Sequence, residues 1–74
     1  MLSIDFEEEK KQSNKLKDEG NLLLTQNKFA QAAEKYTLAI EIFPTAILYS
    51  NRAQAIIKLE SFGSAIQDAN EALK

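Results

Sequence analysis

The 74 residues include nine basic and eleven acidic side chains, a net charge of −2, and neither cysteine nor histidine. That balance argues against a nucleic-acid binder held by phosphate neutralisation, and the missing residue types remove disulfide staples, thiol nucleophiles, the commonest zinc ligands and the usual neutral-pH general base. At most one domain fits, with a single small core supplying only about 3–5 kcal/mol.

The amino end is acidic, with Asp5, Glu7, Glu8 and Glu9 in one solvated cluster, and residues 1–12 read as an extension that lengthens the first helix. Asp5 followed three residues later by Glu8 has the form of a capping box, which predicts a helix start near Phe6. Leu16, Gly20 and Leu23 then recur at helical spacing. An interior glycine costs a helix roughly 0.5–1 kcal/mol relative to alanine, so position 20 needs the absence of a side chain. Asn27 tolerates the left-handed conformation that ends a helix.

A second helix follows, with Phe29, Ala32, Ala33, Tyr36, Ala39 and Ile40 on its apolar face, and Pro44 stops it. Thr45 can cap a third helix carrying Tyr49, Ala53 and Ile56. Ser61 is the expected cap of a fourth, carrying Phe62, Ala65, Ile66, Ala69, Ala72 and Leu73. Glu60 stands at the intervening turn, a poorer residue than asparagine for a left-handed position, and Gly63 falls in the first turn of the fourth helix without a packing reason.

The four helices are two copies of one unit. Phe29 aligns with Phe62, Ala32 with Ala65 and Ala39 with Ala72 at a common offset of 33, which also pairs Gly20 with Ala53 and Leu23 with Ile56. Such self-similarity marks a repeat array. Residues 13–45 form the first unit and 46–74 a second, truncated one without a capping helix. Small residues are expected where the helices of each hairpin cross, Gly20 against Ala32 and Ala53 against Ala65, with Phe29, Tyr36, Tyr49 and Phe62 packing around them.

An apolar residue, then Gly or Ala four positions on, an aromatic before Ala, a second Ala seven later and a closing Pro resembles the tetratricopeptide repeat. The positions are Leu16, Gly20, Phe29, Ala32, Ala39 and Pro44, then Tyr49, Ala53, Phe62, Ala65 and Ala72. The implied fold is all-α, antiparallel helical hairpins stacked as a superhelix of two repeats. Within that family, LKDEGN and YSNRA resemble segments of the chaperone-binding subgroup with a carboxylate clamp, and LESFGSAIQDANEAL resembles the second repeat of the serine/threonine protein phosphatase 5 group.

The resemblance implies a co-chaperone or adaptor that grips the acidic carboxyl-terminal peptide of heat-shock protein 90 or 70 chaperones. Lys17, Asn21 and Asn51 match the clamp, and Leu24, Gln54, Ile57 and Lys58 fall where it would place the rest of the groove. Lys17 and Asn21 are one helical turn apart, and an ammonium with two amides can hold carboxylates. Taken singly they are residues of a solvated helix face, and Arg52 is expected to pair with a neighbouring carboxylate. The family clamp also uses basic residues of a third repeat, so a partial clamp is expected here. In the phosphatase group the module also holds the catalytic domain inactive.

No cofactor and no catalysis are expected, because the acidic residues stand singly on helical faces and no Gly-rich phosphate loop is present. A phosphatase parent would carry its metal ligands elsewhere. The competing expectation is a structural repeat that self-associates through an uncovered face on Phe62, Ile66, Ala69 and Leu73, or a generic scaffold for another helix. Without an apolar span or a secretory pattern the expected compartment is the cytoplasm, with the nucleus as an alternative.

Overall fold

A computed structural model describes the backbone of residues 6–72 and the side chains of residues 6–63. It is all-α, with helices α1 (Glu7–Thr25), α2 (Phe29–Ile42) and α3 (Ala46–Ala72) in that order. Helix α1 opens at Phe6, whose carbonyl accepts from the Lys10 amide at 2.9 Å, close to the expected start. The Asp5 half of the expected capping box lies outside the described residues.

Asn27 ends α1 with φ at 61°. Its amide donates to the Leu24 carbonyl at 3.1 Å and the Lys28 amide to the Leu23 carbonyl at 2.9 Å, the paired bonds of a Schellman motif. The chain thereby reverses within three residues, and α2 packs antiparallel on α1. At the far end of α2, Pro44 forces the preceding Phe43 into extended backbone, φ −153°. Thr45 then starts α3 as expected, its Oγ1 accepting from the Leu48 amide at 3.3 Å.

The core lies around α2. Ala32, Tyr36 and Ala39 on that helix are fully buried, joined by Leu48 and Ala55 from α3, and Leu16, Leu23, Leu24, Ala33 and Ile40 pack against them. The spacing of the three α2 residues, four and then three, puts them on one face. The ring of Tyr36 lies over Gly20: a Cβ at Gly20 would stand 2.6 Å from Tyr36 Cε1. The expected small-on-small crossing of Gly20 with Ala32 is therefore corrected, for the atoms nearest the bare Gly20 position belong to the tyrosine ring. Glycine makes room for a large side chain.

Two further expectations are corrected along α3. The helix runs without a break through Glu60 and Ser61, so the described residues form three helices, and Ser61 caps nothing. Glu60 occupies the position that Asn27 holds in the first unit, and glutamate, unlike asparagine, gains nothing from the left-handed conformation. The helix continues. Ala53 and Ala65 consequently lie on one rod, separated by about 18 Å of axial rise, and cannot meet.

Because α3 does not fold back, the face bearing Tyr49, Ala53 and Ile56 stays exposed. The inward stripe is Leu48 and Ala55, turned onto α2. Tyr49 and Phe62, expected in the packing, are 50% and 56% exposed, although Phe62 meets Phe29 edge-on with ring centroids 6.5 Å apart. Gly63 has open space around it, in agreement with the missing packing role. The side chains of Ala65, Ile66, Ala69, Ala72 and Leu73 lie outside the described residues.

Candidate functional site

Contacts fix how the helices present the candidate residues. Ser13 meets Ala39 and Phe43 while Gly20 meets Tyr36, so α1 and α2 are antiparallel. Arg52 meets Thr37 while Phe62 meets Phe29, so α2 and α3 are antiparallel as well. Helices α1 and α3 therefore run parallel, side by side over α2. Asn51 on α3 reaches Asn21 on α1, its Nδ2 donating to Asn21 Oδ1 at 3.4 Å. This amide pair joins residues thirty apart in sequence.

A third group enters the pair from below. The Tyr36 hydroxyl, rising from the core, donates to the same Asn21 Oδ1 at 2.5 Å. Both acceptor positions of that carbonyl oxygen are thus taken by protein donors, which leaves the amide nitrogen as the remaining polar group of the exposed Asn21. Burial pushes the Tyr36 hydroxyl above its ordinary value, so it remains a donor at neutral pH.

Lys17 lies one turn before Asn21 on α1, half-buried, and enters no ion pair among the described residues. Leu24, one turn after Asn21, is half-buried against the core. Since the helices are parallel, Gln54 is level with Leu24, and Lys58 follows one turn later on the same face as Asn51 and Gln54. Gln54, Ile57 and Lys58 are exposed. The residues define an open strip rather than a cavity, and two depressions of the described surface lie elsewhere: one on the outer side of α1, the other between the α1–α2 turn and Phe62.

The expected partner of Arg52 is corrected. Its guanidinium donates to Thr37 Oγ1 at 3.4 Å and stands 5.3 Å from the centre of the Tyr49 ring, a hydroxyl and an aromatic face in place of a carboxylate. Sequence reasoning also passed over Tyr36 as a site residue and Ser13 as a core residue. The Ser13 hydroxyl is buried, 3.1 Å from both the Ala39 and Phe43 carbonyls at the end of α2. Its signal was positional, since it lies three and seven residues before Leu16 and Gly20 on the buried face.

Several proteins are similar to this chain in sequence. Sperm-associated antigen 1 of Mus musculus is 41% identical over 62 residues, 84% of this chain and 7% of that protein. Heat shock protein STI1 of Saccharomyces cerevisiae is 38% identical over 64 residues, 84% of this chain and 11% of its own length. Small glutamine-rich tetratricopeptide repeat-containing protein 2 of the same yeast is 39% identical over 70 residues, 93% of this chain and 20% of its own. The chain carries a tetratricopeptide-type helical domain.

No protein-family profile matches the chain, and no solved structure gives a significant match. The tetratricopeptide segment spans at most a fifth of the length of these three relatives. Among its described residues no three acidic, histidine or cysteine side chains gather as a metal site, and no helix is long and apolar enough to cross a membrane.

Proposed function

We propose that this tetratricopeptide segment is a protein-interaction module of the co-chaperone or adaptor kind, which grips the acidic carboxyl-terminal peptide of heat-shock protein 90 or 70 chaperones. The observation that carries the reading is the Asn21–Asn51 bridge between α1 and α3, with the Lys17 ammonium one turn away. Those groups offer donors and positive charge on one strip, the complement of a carboxylate. Leu24 and Ile57 supply apolar surface for a peptide side chain, and Gln54 and Lys58 extend the polar strip. The name of the STI1 relative supports a heat-shock connection. The sequence likeness to phosphatase 5 extends the proposal to a parent phosphatase that such a module would hold inactive in the cytoplasm or nucleus.

The test is calorimetric titration with the peptide Met-Glu-Glu-Val-Asp. Binding is expected, and Lys17→Ala should weaken it roughly tenfold or more, since a charge-assisted hydrogen bond contributes about 1.5–3 kcal/mol. Indifference to Lys17→Ala sinks the clamp. A second reading, self-association, is favoured by the exposed apolar face of Tyr49, Ala53 and Ile56 on α3. Sedimentation showing a monomer at high concentration would remove it.

A further inference from the structure

The clamp reading gives Asn21 a role without saying what sets its direction. An asparagine side chain carries an acceptor and two donors on one flat group, and rotation about its last bond exchanges them. A free asparagine accordingly welcomes a carboxylate or an amide with little preference. In this fold the choice is made from beneath. Gly20 omits a side chain where one would overlap the Tyr36 ring, and the ring, lying in that space, carries its hydroxyl to the neighbouring residue, Asn21. The hydroxyl is a donor toward a carbonyl oxygen, so the contact of 2.5 Å holds Oδ1 down. Asn51 Nδ2 donates to that same oxygen. Nothing remains for a ligand at Asn21 except N–H.

We infer that Tyr36 is a positioning residue of the binding strip: by holding Asn21 Oδ1 it turns the Asn21 amide into a one-way donor, and so sets the preference of the strip for an acceptor-only carboxylate over a carboxamide. The inference rests on the clamp reading, and it adds the residue that confers discrimination. Tyr36 itself is fully buried, beneath the surface a ligand would meet. Its effect passes through Asn21. Gly20 belongs to the same device, since any side chain there would displace the ring.

The experiment uses the whole chain and two probes, Met-Glu-Glu-Val-Asp with a free carboxyl end and the same peptide amidated at that end. Titration of the parent chain is expected to favour the free acid. Tyr36→Phe keeps the ring over Gly20 and removes only the hydroxyl, and is expected to narrow the acid-to-amide ratio about threefold to tenfold, whereas Lys17→Ala lowers affinity for the acid without restoring the amide. Independently of any peptide, the side-chain amide resonances of Asn21 in the free protein should move toward random-coil positions in Tyr36→Phe and stay in place in Lys17→Ala. Unchanged Asn21 resonances in Tyr36→Phe overturn the positioning role, whatever the peptides do. If the resonances move but neither probe binds the parent chain, the clamp reading fails and the discrimination fails with it, leaving Tyr36 as the group that orients Asn21. A ratio unchanged in a Tyr36→Phe variant that still binds overturns the discrimination directly.

Discussion

The ring of Tyr36 fills the space that a side chain at Gly20 would need, with Cε1 2.6 Å and Cδ1 2.9 Å from where a Cβ would sit. Two effects then oppose each other in Gly20→Ala. Helix propensity gains up to about 1 kcal/mol, while overpacking against a fully buried ring costs about 1–3 kcal/mol. Overlap at that distance is with the body of a ring, not with the end of a flexible chain, so the second effect wins. Urea unfolding should show Gly20→Ala destabilised by about 1–2 kcal/mol, and a stabilised variant would refute the packing assignment.

Gly63→Ala is the matched control. Beyond its own stretch of helix nothing described lies within 4 Å of the Cβ it would gain, and the position is inside a helix. Thermal unfolding should rise, by up to about 1 kcal/mol in stability. The same substitution at two glycines is expected to have opposite signs.

Asn27 carries the left-handed turn between α1 and α2. Asn27→Gly should leave stability within a few tenths of a kcal/mol or raise it, whereas Asn27→Val should lower it by about 1–2 kcal/mol, because a β-branched side chain opposes positive φ. Circular-dichroism melts of the two variants separate these outcomes.

Ser13→Ala removes a buried hydroxyl shared by the Ala39 and Phe43 carbonyls. The Ala39 carbonyl keeps the Phe43 amide as a partner at 2.9 Å, so the loss should stay near 1 kcal/mol. Hydrogen exchange should locate it at the last turn of α2 rather than spread over the chain.

Stability should fall in strong base through Tyr36. Burial raises its hydroxyl above the ordinary value of 10.0. The folded chain then holds that proton more tightly than the unfolded one, so the contribution is complete below pH 10 and is lost as pH rises through the folded value. Urea midpoints measured on either side of that value should drop less steeply in Tyr36→Phe.

Much of the frame was legible because it follows from local rules. Asn27, Pro44 and Thr45 end or begin helices through their own backbone and side-chain chemistry, and Ala32, Tyr36 and Ala39 announce one face by spacing alone. The crossing at Gly20 was not legible, since spacing says that a small residue is needed but not whether a small or a large one meets it. Glu60 misled for a different reason: repeat symmetry argued for a turn while the residue itself favoured helix, and the residue prevailed. In the candidate strip, Lys17 and Asn21 could be placed together from one helical turn. The approach of Asn51 to Asn21 required three helices to be stacked, and the Tyr36 bond required knowing which side chain fills the glycine's space.

Helix α3 has two apolar sides with different fates, one taken by α2 through Leu48 and Ala55, the other bare at Tyr49, Ala53 and Ile56. The outer side of α1, by contrast, presents Lys11, Asn14, Lys15, Asp18 and Glu19 around a single exposed Leu22. The stack therefore has a direction. Its α1 side carries charges of both signs around one leucine, while its α3 side offers a continuous apolar stripe, so an added helix is expected to bury more apolar surface against α3 than against α1.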